Sequence, residues 1–164
     1  MDPQMKPFIQ IVDFLHDDIY KAVDPLTDDE INWRHPRLTN TVGVLLRHIP
    51  GSERYWILEV VGGRTIQRNR DEEFGRERLR KTPLVENLRR AQAEVKEVLE
   101  GIRPDHLMEE VEQTFRGKTV RFTKSWAILH SIQHTAYHLG QIQLFRKMAT
   151  SGAAEQLRPG REPR

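Results

Sequence analysis

Three histidines recur at intervals of four residues in the stretch His130-Ser131-Ile132-Gln133-His134-Thr135-Ala136-Tyr137-His138. On a helix, residues four apart lie one turn apart on the same face, with Cβ atoms ~5–6 Å from each other. Two imidazoles so placed can reach one metal ion at ~2.0–2.1 Å. Cysteine is absent, which excludes thiolate sites, disulfides and a cysteine nucleophile, so any metal must take nitrogen or oxygen ligands. Spacing by itself supports only the pair His134 and His138, and such pairs also arise on solvated helix faces. In the zinc-protease pattern a glutamate directly follows the first histidine. Thr135 stands there instead, so that chemistry is excluded.

His48 sits among Val44, Leu45 and Ser52, and two readings stand for it. One is an imidazole at the edge of the core, hydrogen-bonded to a neighbour. The other is a third ligand delivered from a facing helix. Three neutral nitrogen ligands would leave positions for water or substrate, the pattern of a catalytic rather than a structural site. His130 fits a fourth ligand, an outer partner of the ligands, or plain packing. His16 reads as structural, and His35 and His106 as exposed in connections. Ligating imidazoles usually donate their other N–H to an acceptor, for which Asp13, Asp17, Glu53 and Gln141 are candidates. No residue stands out as a general acid or base.

These residues need helices to position them. Phe8, Ile11, Val12, Leu15 and Ile19 recur at helical spacing and predict a first helix from Phe8 to about Val23, stopped by Pro25. A short turn of helix is expected at Asp28 to Asn32. Asn40 or Thr41 can cap a second helix from Val42 to about Val60, whose stripe of Val44, Leu45, His48, Ser52, Tyr55 and Trp56 carries the first candidate ligand. Gly62-Gly63 ends it. Arg64 to Lys81 is polar and charged and reads as a long surface connection. Thr82-Pro83 with Glu86 predicts the cap and first turn of a third helix reaching about Glu100. Val111, Gln113 and Phe115, then Arg116-Gly117-Lys118, then Val120 and Phe122 read as a small β-hairpin. Thr123 or Ser125 caps a fourth helix from Trp126 to about Met148. Gly140 inside it costs ~1 kcal/mol of helix propensity, which suggests close approach to a neighbour. The sum is an all-α four-helix bundle with long second and third connections and a hairpin before the last helix. It spans residues 1–149, with 150–164 as a mobile basic tail.

The chain has 164 residues, 30% of them charged and 37% hydrophobic, with a formal net charge of +2. That is long enough for one domain with a real core. Acids and bases are interspersed, as in Arg70-Asp71-Glu72-Glu73, so no basic stripe marks a nucleic-acid binder. No apolar run approaches the ~20 residues of a membrane span, and the start lacks a signal-peptide pattern. A cytoplasmic location is the expectation. Arg34, Arg37, Arg47 and Arg54 crowd the histidine end of the second helix and suit either an anionic substrate or a solvated face. Trp33, Trp56, Trp126 and Tyr137 suit a pocket wall or ordinary packing.

Two stretches resemble the DinB/YfiT-like superfamily of metalloenzymes. The first comprises Asn32-Trp33-Arg34, Asn40-Thr41-Val42-Gly43, Leu46-Arg47-His48-Ile49 and Glu53-Arg54-Tyr55-Trp56. The second, His134-Thr135-Ala136-Tyr137-His138-Leu139-Gly140-Gln141-Ile142, is the more specific. The resemblance covers nearly the whole chain except the last dozen or so residues. It implies a four-helix bundle with a metal site at its surface, walled by loops. By position it implies His48, His134 and His138 as the metal ligands, and His130 resembles a histidine often seen at its place; His130 and Gln141 are expected as outer partners. It also implies a metal-dependent enzyme acting on a small molecule, either a transferase using a low-molecular-weight thiol or a hydrolase. Against this stands a non-catalytic helical interaction module, a dimer whose metal is structural or vestigial. Three imidazoles suit Zn²⁺, Ni²⁺, Fe²⁺ or Cu²⁺ without distinguishing them. A homodimer is the default oligomer.

Overall fold

In a computed structural model of the chain, residues 2–115 and 117–151 are described. Four long helices build a bundle. Helix α1 spans Lys6–Val23 and is followed by the short α2, Asp28–Asn32. Helix α3 spans Val42–Glu53 and continues without a break as a π-helical segment, Arg54–Val61. The short α4, Arg70–Glu73, precedes α5, Lys81–Gly101. A 3-10 turn, Pro104–Met108, leads into strands β1, Glu110–Phe115, and β2, Lys118–Thr123. Helix α6, Lys124–Thr150, closes the fold. Among the described residues no helix is long and apolar enough to cross a membrane.

Helix ends follow local chemistry where a cap is available. Thr27 and Glu30 form a reciprocal capping box on α2, satisfying free N–H groups from both sides. Of the two candidates at the start of α3, Thr41 is the cap, its hydroxyl accepting from Val44 N at 3.1 Å. Thr123 does the same for α6, accepting from Trp126 N. The strands pair antiparallel from Glu110↔Thr123 to Phe115↔Lys118. Gly117, at φ +76°, supplies the left-handed turn conformation that a two-residue hairpin loop requires.

Four expectations need correction. The third helix does not start on a Thr82 cap: α5 begins at Lys81, and Arg80 at its N-cap makes no side-chain cap bond. A tertiary contact replaces the local one, with Asp28 Oδ1 accepting from Lys81 N and Lys81 Nζ donating to the carbonyls of Asp24 and Leu26. Ile11 leaves the first helix's apolar stripe and is 37% exposed, while Ile9 is buried beside Val12 and Leu15. The second helix changes its winding after Glu53. Pro50 lies inside it, where it lacks an N–H and crowds the carbonyl four residues back, a known source of kinks and π segments. Finally, Gly140 meets nothing: a Cβ there would have no atom of another element within 4 Å. α6 includes Thr150, and of the expected tail, residues 152–164 lie outside the described residues.

Two apolar clusters stack along the bundle. One joins Leu15, Ile19, Leu45, Leu46, Ile49, Leu88, Leu139 and Ile142; the other joins Met5, Ile9, Val12, Trp56, Ile57, Val95, Leu99 and Ile128. Helices α1 and α6 run from the second cluster to the first, whereas α3 and α5 run the opposite way. The direct neighbours are α1–α6, α6–α3, α3–α5 and α5–α1. Between the clusters lies a layer of buried polar side chains: His16, His48, Ser52, Glu53, Ser131, Thr135 and His138. Buried polar groups are unfavourable unless bonded, so this layer marks where to look for chemistry.

Candidate metal centre

His48 comes from α3, and His134 and His138 come from successive turns of α6. Their Nε2 atoms converge. His134 Nε2 lies 3.1 Å from His48 Nε2 and 3.1 Å from His138 Nε2. Nitrogens 3.1 Å apart, each bound to one ion at ~2.0–2.1 Å, subtend about 95–100° at the metal, between octahedral and tetrahedral angles. Among the described residues these three form the group that can hold a metal ion.

The outer nitrogens fix the tautomers. His48 Nδ1 donates to Glu73 Oε2 at 2.7 Å, and His138 Nδ1 donates to Gln141 Oε1 at 2.7 Å. In their neutral forms both rings therefore turn a bare Nε2 lone pair toward the shared point. His134 Nδ1 is buried without a hydrogen-bond partner among the described residues. If His134 Nε2 carried a proton it could donate to only one of its two neighbours, and the other neighbour's lone pair would be left without a partner. A cation at the centre would accept all three lone pairs at once, so the donor set fits a divalent metal.

Protonation is held in the matching state. Burial, reinforced by the neighbouring His138 and His48, pushes the His134 imidazole down to about 3. Burial also lowers His138, although the bond to Gln141 works against it. Glu73 shows the opposite balance. Burial favours its neutral acid, but hydrogen bonds from Arg68 and His48 outweigh that and keep the carboxyl below its ordinary range. The site thus favours neutral His134 and His138 beside an ionised acceptor, as metal ligation requires.

Glu73 and Arg68 are the functional residues that sequence reasoning missed. Arg68 grips both Glu73 oxygens, Nε to Oε1 at 2.7 Å and Nη2 to Oε2 at 2.9 Å. Arg47 ties the same segment to α3, donating to the carbonyls of Glu73 and Gly75. Gly51 makes room: a Cβ on it would stand 2.1 Å from Glu73 Oε1. The supposed surface connection is therefore fastened to the back of His48.

The remaining candidates separate cleanly. His130 makes no hydrogen bond to the cluster. Its ring is stacked on Trp126, with centroids 4.9 Å apart and planes 4° from parallel, and lies 6.3 Å from His134. Burial lowers its basicity. Glu53 and Asp13 do not hold the ligands: Glu53 Oε1 accepts from His16 and Thr135, and Asp13 pairs with Lys96 and Gln92. Arg54 binds Glu94 and Asn87, and Arg34 donates to the Thr39 carbonyl. The arginines that do face the site are Arg68 and Arg70. With Tyr55, Trp56, Glu59 and Thr114 they line an open cleft of ≈ 670 Å³ onto which His48, His130 and His134 open. Trp33 packs on His35, away from it. Tyr137 lies against His138, and its hydroxyl accepts from Gln141 Nε2.

A four-helix bundle carrying a three-histidine group at the edge of a cleft defines the class of protein. The sequence model of the DinB superfamily matches residues 12–142, and the chain belongs to that superfamily. Solved structures agree on the fold. A conserved protein from Enterococcus faecalis superposes with a TM-score of 0.71 at 16% identity, covering 91% of this chain and 98% of its own. A DinB-like protein from Bacillus cereus ATCC 10987 gives a TM-score of 0.68 at 19% identity, covering 88% of this chain and 91% of its own. No curated protein matches the chain in sequence.

Proposed function

We propose that His48, His134 and His138 bind one divalent metal ion and that the chain is a metal-dependent enzyme acting on a small molecule held in the adjoining cleft. The reaction class we favour is transfer to or from a low-molecular-weight thiol, with hydrolysis as the alternative. The observation that carries this reading is the convergence of three Nε2 atoms beside an open cleft, with two of the three outer nitrogens already bonded to oxygen acceptors. When bound, such an ion supplies the Lewis acidity that makes a water or thiol acidic near neutral pH. The protein's own residues have separate tasks. Glu73 and Gln141 hold His48 and His138 in the ligating tautomer. Tyr55 and Trp56 wall the cleft. Arg70, whose guanidinium lies over the Phe74 ring, offers positive charge to an anionic substrate, while Arg68 is already engaged by Glu73.

An interaction module with a closed structural metal would need a fourth protein ligand, and His130 is held by Trp126 instead. Metal analysis of purified protein tests the site: one ion per chain is expected, and His48→Ala should lose it. Stoichiometric metal retained by the variant would remove His48 from the site. Turnover is then sought with a panel of thiols and electrophilic acceptors, and separately with ester and amide substrates, before and after chelation. A metal-replete protein inactive on every substrate would count against the enzyme reading.

A further inference from the structure

We propose that the outer face of the α1–α6 pair is the docking surface for a second copy of this chain. Helix α6 contains no Asp, Glu, Lys or Arg from Ser125 to Phe145, although charged residues make up 30% of the chain. Its outward line runs Leu129, Gln133, Ala136, Gly140, Leu144, all exposed. A helix apolar or neutral all round belongs in an interior, yet this one has a bare side. The diagonal helix, α5, turns Glu86, Arg89, Arg90, Glu97 and Glu100 to solvent, as a solvated face should.

The patch extends onto α1. Ile11 and Phe14 lie on the flank of α1 that leads to Asp18, and Asp18 shares a groove with Gln143 and Arg146 of α6. Phe14 is 58% exposed, Leu129 55%, Tyr137 62% and Leu144 55%. At roughly 200 Å² for a whole large side chain, these four alone offer about 450 Å² of surface. That is over half of the ~800 Å² per partner that a stable interface buries, and Ile11, Gln133, Ala136 and Gly140 add the remainder. Charges stay at the rim, with Asp17 and Lys21 on α1 and Lys147 at the end of α6, the distribution that interfaces show.

A second copy is the occupant because the face is neutral and a two-fold axis can map it onto itself. Its charges, Asp18 and Arg146 in the groove and Asp17, Lys21 and Lys147 at the rim, are of both signs, so the face has no one-sided charge with which to recognise an acidic or basic partner, and like faces can meet without net repulsion. Ala136 and Gly140 at its centre let two such helices approach closely. Gly140, where an added Cβ would meet nothing within 4 Å among the described residues, then has a reason that the single chain does not provide.

Sedimentation velocity over micromolar to high-micromolar concentrations tests this. The protein should sediment at twice the 19.3 kDa of one chain. Gly140→Glu places a charge on each copy where the monomer has open space and a better helix former replaces glycine. Circular dichroism and the melting temperature measured at dilutions where the wild type is itself monomeric should be unchanged, while association weakens at least about 100-fold. Leu129→Arg should act in the same way, and Glu86→Lys on α5 should leave the dimer intact. A monomeric wild type at every concentration would overturn the proposal. So would a folded Gly140→Glu protein that dimerises as tightly as the wild type, or a dimer equally disrupted by Glu86→Lys.

Discussion

Replacing Gly51 with alanine should damage metal binding from a position that touches no ligand. The added Cβ would stand 2.1 Å from Glu73 Oε1 and 2.8 Å from its Cδ, whereas ordinary contact begins at 3.4 Å. The carboxylate must therefore retreat by about 1.3 Å. His48 Nδ1 and Arg68 Nε each hold it at 2.7 Å, and such bonds are lost beyond ~3.2 Å, a slack of only about 0.5 Å. One or both bonds must break. Loss of an outer acceptor lowers metal affinity by ~10–100-fold, which is about 1.4–2.7 kcal/mol. The fold should survive, because alanine is the better helix former by ~1 kcal/mol. Competition against a chromophoric chelator measures the effect. In a Glu73→Ala background, which already lacks the carboxylate, Gly51→Ala should cost nothing further. A Gly51→Ala protein that binds metal like the wild type would refute the argument. An equal loss in both backgrounds would show that the damage travels by another route.

Metal should raise thermal stability. An ion present at 100 times its dissociation constant contributes about 2.7 kcal/mol, worth about 5–11 °C in a chain of this size; a melting curve unmoved by Zn²⁺, Ni²⁺ and Fe²⁺ and by chelation would argue against the site. The metal-free protein should lose stability in acid. The folded His134 titrates at about 3 rather than 6.5, so between those values the unfolded chain binds a proton that the native state refuses, and stability falls as pH drops through that window by at most ~1.4 kcal/mol per unit. Urea midpoints of the chelated protein that stay constant from pH 7 to pH 5, or a His134→Ala variant with the same slope as the wild type, would contradict this. His130→Ala should keep its metal while losing about 1 kcal/mol of stability from its ring contacts with Trp126 and Trp56; stoichiometric loss of the ion would make His130 a ligand after all.

The long elements were legible because they rest on local rules. Apolar periodicity and end signals located the four helices, the pairs Asn40 or Thr41 and Thr123 or Ser125 marked two of their starts, where Thr41 and Thr123 prove to be the caps, and alternation around Gly117 announced the hairpin. His134 and His138 were legible as a pair because helical spacing alone brings them together. His48 was not, since its place beside them depends on how α3 packs on α6, and only the family pattern supplied it. Glu73 was out of reach for the same reason in stronger form. It is one acid among Asp71, Glu72 and Glu73 in a segment whose composition reads as solvated surface. What singles it out is an approach to Gly51 and a grip by Arg68, both long-range events with no periodic signature. The Thr82 cap failed in the opposite direction: a sound local signal was overridden by Asp28, brought from α2 to the Lys81 N–H.

The three imidazoles are alike in sequence but not in support, and this bears on how the site works. His48 leans on an ionised carboxylate, His138 on a neutral amide, and His134 on nothing among the described residues. A charged acceptor holds the ring that donates to it more firmly than a neutral one does. His48 is thus the most firmly oriented of the three, fixed through Glu73 to Arg68. His134 sits in the middle, its basicity lowered by burial, with no outer bond among the described residues to hold its angle. It is also the ligand of α6 that borders the cleft, with His138 behind it. A set supported in this way would hold a bound ion most firmly from the α3 side and least firmly toward the cleft, the side from which the proposed substrate would approach.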